Sequence, residues 1–510
     1  MRFVHALAAA CLLMLSGCGE RVTHCVNPLT YTDIPDNDVI RVGDDYYMVS
    51  TTMYFCPGAP VMHSRDLVHW RIVSYIYDFL EDDDVYNLRN GRNAYGKGQW
   101  ATTLRYHDGE FYALFIANDQ GKTYVYHSPD ITASNWERKV IDRPFHDAGL
   151  LLEDGRAYVV WGNGNLRLTE LEPDLSAVKQ GGLDTLLIEC PRQGYMLRGE
   201  GAHFYHIGDW YYVLEIDWPR GGVRTETCWR SRNLTGPYES RVILQGSFDG
   251  RQDGVAQGAI FDTPAGDWYS VMFQDHGAVG RIPTLQRVTW DDGWPMLGDN
   301  STPEKEFDVP LAPYGEDRVW ASDEFDSPAL DLVWQWNHKP LDGAWSLEER
   351  PGFMRIHATP ATALFDARNT LTQRTVGPAC ESSVKLDVSG LKAGAHAGLA
   401  AFQSHFGALE AEVGADGEIR IMQLSREGSR QLGTLAGKEV WFKIKYDFSD
   451  DSARFLWSAD GESWEDSGFV LGMRYTLDFF TGYRSALYCY GTEGQECGFA
   501  DFDWFRQIVS

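Results

Sequence analysis

Three carboxylates stand in short turn-like segments, each directly before an apolar run of the kind that forms a β-strand. Asp36 follows Pro35, which fixes the preceding backbone; Asp147 precedes three consecutive leucines; and Glu200 lies between two glycines. One carboxylic acid can protonate a leaving oxygen, and a second carboxylate can activate water or attack carbon. Brought together by the fold, such groups would hydrolyse a glycosidic bond.

Each carboxylate also has an ordinary structural interpretation. Asp36 is typical of an Asx turn, Asp147 of a capped strand edge, and Glu200 of a solvated glycine-rich turn. The catalytic hypothesis therefore depends on a scaffold that gathers the three side chains around one site.

A weak internal repeat predicts that scaffold. The pattern Gly-x-x-Tyr followed by apolar residues begins at Gly43, Gly109, Gly155, Gly208 and Gly266. Each copy reads as a tight turn that leads into a half-buried strand. Spacings of roughly 45–65 residues suit four-stranded blades with variable loops, so five copies predict a five-bladed β-propeller.

A second repeated element follows the strand in the first two copies. The segment from His63 to Trp70 recurs loosely from His127, with Trp136 closing the second copy. Both read as blade-edge hairpins capped by a tryptophan, and a chance Ser/Asp turn is the alternative. No segment has a sustained 3.6-residue period, so low helix content is predicted.

A proline-containing linker separates this region from a second one. Pro303, Pro310 and Pro313 interrupt the pattern, and alternating strands resume from about Val319. Roughly 190 residues of this kind predict a β-sandwich. The predicted fold class is therefore all-β, with a five-bladed β-propeller over residues 26–315 and a β-sandwich over residues 318–510.

The bulk composition narrows the ligands. The chain of 510 residues carries a formal net charge of −28 and is 13% aromatic. This charge repels phosphate backbones, which argues against nucleic acid, and it disfavours acidic polysaccharides. Aromatic rings stack on the C–H faces of sugars, although large β-proteins also use many in their cores. Neutral glycans remain open as ligands.

The N-terminus is typical of a bacterial lipoprotein signal. Met1-Arg2 is followed by an apolar run from Ala6 to Leu15, and Leu15-Ser16-Gly17-Cys18 closes the segment. Residues 1–18 are the predicted lipoprotein signal segment, and cleavage before Cys18 would leave the lipid on that thiol; an ordinary signal peptide is the alternative. No other run is long and apolar enough to span a bilayer. We predict a secreted protein that contacts the membrane only through its lipid anchor, on the periplasmic or cell-surface side of a bacterial outer membrane.

Seven cysteines follow this segment, so they cannot all pair internally. None has the C-x-x-C spacing of a zinc or redox site. Cys489 and Cys497 could form a local disulfide, and buried free thiols are the equal alternative.

Several segments, in this order, resemble glycoside hydrolase family 43, the five-bladed-propeller β-xylosidases and α-L-arabinofuranosidases. The resemblance covers about residues 26–315, and the second domain is similar to the concanavalin-like jelly-roll sandwich that many members carry. The motifs are Pro35 to Tyr47, Phe55 to Val61, His63 to Trp70, Trp100-Ala101, His146-Asp147, Glu200 to His203 and Gly280 to Pro283.

The resemblance implies an inverting mechanism and a role for each carboxylate. Asp36 would be the general base, Glu200 the general acid, and Asp147 the residue that raises the pKa of Glu200 and holds it in place. Arg281 would bind sugar hydroxyls. The predicted walls of the sugar site are Phe55, Trp100 and, from the second domain, Phe480.

Three positions depart from the family pattern. Asn37 and Ala202 replace prolines that members often carry, and Ala256-Gln257-Gly258 stands where the family usually has His-Gln-Gly, whose histidine lies on the propeller axis. In relatives that histidine often lies beside a metal ion or a water molecule. We therefore assign no metal and no cofactor, and leave an axial calcium open.

The predicted function is removal of terminal α-L-arabinofuranosyl or β-D-xylosyl residues from plant cell-wall glycans such as xylan. Residue types do not decide between arabinose and xylose. A glycan-binding lipoprotein with a decayed site and an endo-arabinanase are the alternatives. A sialidase fits poorly, because the one Ser-x-Asp-like box, from Ser458 to Trp464, lies outside the predicted propeller.

Overall fold

The computed structural model describes residues 22–191, 193–251, 253–492 and 496–509. The signal segment, including the predicted lipidation site Cys18, lies outside these residues. The described chain is built almost entirely of β-strands, with two short 3₁₀ helices at Gly277–Val279 and Leu364–Asp366. Among the described residues, no helix has the length and hydropathy needed to cross a membrane. The predicted fold class is confirmed.

The first region forms five antiparallel four-stranded sheets, which are the five blades of the propeller. In each blade the first strand in sequence lies innermost, and the five innermost strands contact one another in a closed ring. The strands, numbered by blade, are Asp38–Val42, Asp45–Val49, Gly58–Ser64 and Arg71–Tyr77 in blade 1; Gln99–His107, Glu110–Ala117, Lys122–Ser128 and Glu137–Ile141 in blade 2; Gly149–Glu153, Arg156–Trp161, Asn165–Leu171 and Asp184–Glu189 in blade 3; Tyr195–Ile207, Trp210–Pro219, Thr225–Ser231 and Glu239–Gln245 in blade 4; and Ala256–Asp262, Trp268–Asp275, Arg281–Asp291 and Trp294–Leu297 in blade 5.

The five glycines of the sequence repeat lie in the turn between the innermost and second strands of their blades. All five have a positive φ, between 61° and 92°, a conformation that a residue without a Cβ adopts at little cost. The repeated tryptophans also have one role: the indole N–H of Trp70 donates to Leu67 O at 3.0 Å, and that of Trp136 donates to Ala133 O at 3.1 Å.

A two-stranded ribbon joins the two ends of the propeller region. Thr23–Val26 pairs antiparallel with Glu306–Val309, from Thr23 opposite Val309 to Val26 opposite Glu306. Cys25, Phe307 and Val309 are buried in one apolar cluster with side chains of blades 1 and 5. The ribbon therefore seals the seam between the first and last blades.

The second region is a sandwich of two mostly antiparallel sheets around a large apolar core. The seven described cysteines are buried and unpaired, so no disulfide joins Cys489 to Cys497. One sheet contains, in spatial order, Gly428–Leu435, Ile419–Ser425, Gly407–Val413, Ala395–Phe402, Arg484–Gly491, Leu371–Arg374, Gln335–Asn337 and Phe55–Cys56, with Thr359–Pro360 beside Arg484–Gly491; the other contains Trp345–Ser346, Met354–His357, Phe499–Val509, Ala379–Asp387, Glu439–Asp447, Ser452–Ser458 and Glu465–Gly472.

The two regions share both a sheet and a core. Phe55–Cys56 leaves blade 1 to form the edge strand of a sandwich sheet, with Cys56 opposite Trp336 and Phe55 opposite Asn337. A single apolar cluster also joins side chains of blades 1 and 2 to Phe402, Phe479 and Tyr488 of the sandwich. The sandwich is thereby held beside the mouth of the propeller.

Candidate active site

The side chains at the mouth of the propeller are aimed by irregular backbone at the start of the innermost strands. Strand pairing shifts register between Gln99 and Thr102, between Glu200 and His203, and between Ala256 and Gly258. Such bulges re-aim side chains at the rim of a sheet. Asp36, Asp147 and Gln257 have φ values of 53°, 45° and 58°, a strained conformation for residues with a Cβ that is common at functional sites.

Asp36 is a buried carboxylate held by a buried arginine. Its Oδ1 accepts a hydrogen bond from Nη1 of Arg281 at 2.7 Å, and both side chains are less than one-tenth exposed. Burial raises the pKa of Asp36 above its ordinary value, while the Arg281 guanidinium and a hydrogen bond from Thr51 act in the opposite direction. The arginine therefore favours the charged carboxylate that a general base needs.

Glu200 and Asp147 meet at a single histidine. Nε2 of His146 lies 3.3 Å from Oε2 of Glu200 and 3.7 Å from Oδ2 of Asp147. Asn163 Nδ2 donates a short hydrogen bond to the same oxygen of Glu200. Burial opposes the charged imidazole, but the carboxylates of Asp147 and Glu200 outweigh burial and raise the pKa of His146. Burial, together with the charges of Glu200 and Asp36, raises the pKa of Asp147.

One narrow pocket lies between the Asp36 side and the Asp147 side of the site. Asp36 and Asp147 both line it, and Gly201 and Gln257 form part of its wall. Ala202 N donates to the backbone oxygen of Asp147 at 3.2 Å, which fixes the Glu200 segment to that of Asp147. The three predicted carboxylates therefore surround the same opening of the propeller.

Two aromatic side chains, one from each region, lie between Arg281, the partner of Asp36, and His146, the partner of Glu200. The ring of Trp100 lies 5.8 Å from that of His146 and 5.5 Å from that of Phe480. The Arg281 guanidinium lies 4.8 Å from the centre of the Phe480 ring. Phe480, from the sandwich, and Trp100, from blade 2, therefore lie together beside the partners of the carboxylates; their contact with a sugar stays a prediction.

Phe55 lies elsewhere. Its side chain is 1% exposed, its strand pairs with the sandwich, and the Arg484 guanidinium stacks 3.7 Å from its ring centre. Phe55 therefore packs in the boundary between the two regions and not beside the carboxylates.

Sequence reasoning assigned no role to His146 or Asn163, although both contact Glu200. The sequence shows that His146 is next to Asp147, but it does not show whether the His146 side chain points towards the carboxylates or away from them. A group of three buried carboxylates in blade 4 was also missed: Asp217 Oδ1 accepts from Gly199 N at 3.0 Å, Glu226 Oε2 accepts from Gln257 N at 2.7 Å, and Glu215 lies beside Asp217. They support the backbone on both sides of Glu200.

The axial residues do not match the needs of calcium. Calcium takes six to eight oxygen ligands in a negatively charged setting. Here the buried carboxylate of Asp38 already accepts from Arg105, Thr103 and Leu104 through Oδ2, while Oδ1 accepts no hydrogen bond from the described residues and lies 3.8 Å from Nε2 of His203. The charge of Arg105 neutralises Asp38, which leaves no net negative charge there for calcium. Within the described residues, His/Asp/Glu groups with metal-like spacing occur at His146–Asp147–Glu200 and at His396–Glu410–Glu412.

Fold and site together define a propeller glycosidase with an accessory sandwich, and comparison with known proteins agrees. Residues 25–295 match glycosyl hydrolases family 43, and residues 322–507 match the β-xylosidase C-terminal concanavalin A-like domain. The chain belongs to glycoside hydrolase family 43 and is a glycosidase.

Relatives extend over most of the chain. A putative β-xylosidase of Xylanibacter ruminicola is 33% identical over 86% of this chain and 82% of its own length. The non-reducing end α-L-arabinofuranosidase BoGH43B of Bacteroides ovatus is 27% identical over 94% of each chain. The structure of a bifunctional GH43-CE protein of Bacteroides eggerthii superposes with a TM-score of 0.90 at 42% identity, covering 96% of this chain and 64% of the other.

Proposed function

We propose that this chain is an exo-acting, inverting glycosidase that removes terminal α-L-arabinofuranosyl or β-D-xylosyl residues from plant cell-wall glycans. The observation that carries the proposal is the placement of Asp36, Asp147 and Glu200 at one mouth of the propeller, with Trp100 and Phe480 of the sandwich bordering them. A site bordered on one side by a second domain suits a terminal sugar better than the middle of a chain.

In this mechanism Asp36 takes a proton from water as the water oxygen attacks the anomeric carbon. Glu200 gives its proton to the glycosidic oxygen as that bond breaks, which inverts the anomeric configuration. Arg281 favours the charged form of Asp36 before attack. His146 and Asn163 hold Oε2 of Glu200, and the hydrogen bond from Ala202 N to the backbone oxygen of Asp147 ties the Glu200 segment to that of Asp147.

Two chromogenic substrates test the activity and its base. Wild-type protein and the Asp36→Ala variant are assayed on 4-nitrophenyl α-L-arabinofuranoside and 4-nitrophenyl β-D-xylopyranoside. We expect release by the wild type and a loss of at least about a thousandfold in the variant, as for removal of a general base that acts in every turnover. No release from either substrate would contradict the proposal.

The stereochemistry tests the mechanism separately. NMR of the first sugar released should show the anomer opposite to that of the substrate. Retention would mean that a carboxylate attacks the sugar directly, and the assignment of Asp36 as a base would be wrong.

The proposal includes export and a lipid anchor. The lipoprotein-type segment ending at Cys18 supports it. Mass spectrometry of the protein from membranes should find a diacylglyceryl group on Cys18 and no residues before it. A Cys18→Ser variant should be released into the soluble fraction; membrane retention of this variant would overturn the anchor.

A further inference from the structure

A groove lies on the propeller face opposite the catalytic pocket. Asp36, Asp147 and Glu200 stand at the start of the innermost strands, and Arg281 is at the same end of blade 5, opposite Asp275. Trp268 pairs with Asp262 at the far end of this blade, and Trp290 lies near the end of the same strand as Arg281. The groove they line is therefore separated from the active site by the height of the propeller.

Two partly exposed tryptophans form the apolar part of this groove. The rings of Trp268 and Trp290 are 5.3 Å apart and nearly perpendicular, and the ring of Tyr212 lies 5.8 Å from that of Trp290. Both indoles line the groove while they also pack against an apolar cluster of blades 4 and 5. Large aromatic side chains that stay partly exposed in a well-packed protein mark candidate binding surfaces.

Both arginines of the groove are already paired with carboxylates. Nη1 of Arg241 from blade 4 lies 2.9 Å from Oδ2 of Asp291, and Arg287 donates to Glu304 at 3.0 Å. Asp267 and Asp299 also line the groove and make it unfavourable for an anionic ligand. The paired groups present planar donors and acceptors to hydroxyl groups, and together with the two indoles they fit an uncharged, polyhydroxylated chain.

We propose that this groove is a second glycan-binding site that holds a neutral polysaccharide without cleaving it. The strands of blades 4 and 5 hold the two tryptophans and Arg241 rigidly, so the surface is formed before the ligand arrives. Holding the polymer on the far face raises the concentration of chain ends around the pocket. This inference goes beyond the catalytic proposal, and it is tested by binding rather than by turnover.

Affinity electrophoresis in gels that contain soluble arabinoxylan tests the groove. All variants carry Asp36→Ala, so that no polymer is consumed and any binding in the catalytic pocket is common to them. We expect the polymer to retard the parent protein, and Trp268→Ala/Trp290→Ala to bind about tenfold more weakly, as for the loss of two aromatic contacts. Trp464→Ala, a half-buried tryptophan of the sandwich, is the matched control and should bind like the parent.

A second variant guards against a folding defect. Thr289→Arg places a long side chain in the groove from an exposed position and leaves both tryptophans in place. With Asp36 restored, both groove variants should hydrolyse the small 4-nitrophenyl glycosides at the wild-type rate. Retardation of both groove variants equal to that of Trp464→Ala would overturn the proposal, whether or not the enzyme cleaves the small substrates.

Discussion

At the scale of single residues, the site depends on two opposed charge environments. Asp36 faces an arginine, whereas Glu200 and Asp147 share a histidine. Arg281 opposes the burial that raises the pKa of Asp36, whereas Asp147 and Glu200 are gathered around His146. A general base and a general acid need different surroundings, and this division is the physical basis of the roles proposed for them.

Arg281→Met should move the acidic limb of the pH profile. Arg281 opposes the burial that raises the pKa of Asp36. Without the arginine, Asp36 should take up its proton at a higher pH, so kcat/KM should begin to fall about one pH unit earlier on acidification. Arg287→Met, an exposed arginine on the same strand, should leave the limb in place. An unmoved limb in Arg281→Met would contradict Asp36 as the base.

His146→Gln should change the pH dependence of stability. Because Asp147 and Glu200 raise the folded-state pKa of His146, the contribution of its ion pairs is complete below the ordinary imidazole value of about 6.5 and is lost as pH rises through the raised value. The variant should lose about 1–2 kcal/mol near pH 6 and less in alkaline solution.

Thermal unfolding from pH 6 to pH 10 measures this difference. His276→Gln is the control, because burial lowers the pKa of His276 and leaves no charged imidazole to lose its proton in alkaline solution. A deficit in His146→Gln that stays constant over this range would argue against an ion pair.

At the scale of strands and turns, the sequence predicted features that depend on neighbouring residues better than features that depend on contacts between distant residues. The five glycine turns could be identified from sequence because a tight turn needs its own residues and little else. The family resemblance predicts Phe55 as a wall of the sugar site, yet its strand pairs with residues 335–337 of the sandwich. The contacts of His146 also depend on the β-bulges at the propeller mouth, and so do the supporting carboxylates of blade 4. No periodic sequence pattern predicts where a bulge occurs.

A pair of glycine substitutions tests the bulge that carries Glu200. Gly201 and Gly208 both have positive φ, but a Cβ at Gly201 would lie 2.6 Å from Cδ of Gln257, whereas Gly208 faces open space. Gly208→Ala should cost only the conformational strain of about 1 kcal/mol. Gly201→Ala should cost more and should also lower kcat, because the clash displaces the acid.

Thermal unfolding and kinetics on the 4-nitrophenyl substrates separate these contributions. Equal kcat values for the two variants would show that the position of Glu200 does not depend on the fit between Gly201 and Gln257.

At the scale of the whole molecule, the propeller and the sandwich behave as one structure. They share an edge strand, an apolar cluster and the carboxylate of Asp33, which accepts from Arg281 N at 2.8 Å and from Gly482 N at 2.9 Å. Asp33 thus connects the strand of Arg281 to the loop of Phe480. The sandwich is therefore part of the catalytic unit.

Calorimetry should show one unfolding transition for the two regions. Separating them would expose their common apolar cluster and leave the groups bonded to Asp33 unpaired, so neither region should survive the loss of the other. Asp33→Ala should lower the transition temperature and weaken substrate binding while keeping a single peak. Two resolved transitions in the wild type would contradict this coupling.

Because the propeller segment Phe55–Cys56 is an edge strand of the sandwich, it also constrains the order in which the chain can fold during synthesis. Blade 1 leaves the ribosome early, but its edge segment must wait for residues 335–337, and the pocket must wait for Phe480. Nascent chains acquire structure from the N-terminus. A chain whose synthesis stops before Phe480 would thus lack both the wall of its sugar site and part of the apolar cluster that the propeller shares with the sandwich. Catalysis therefore requires synthesis almost to the end of the message.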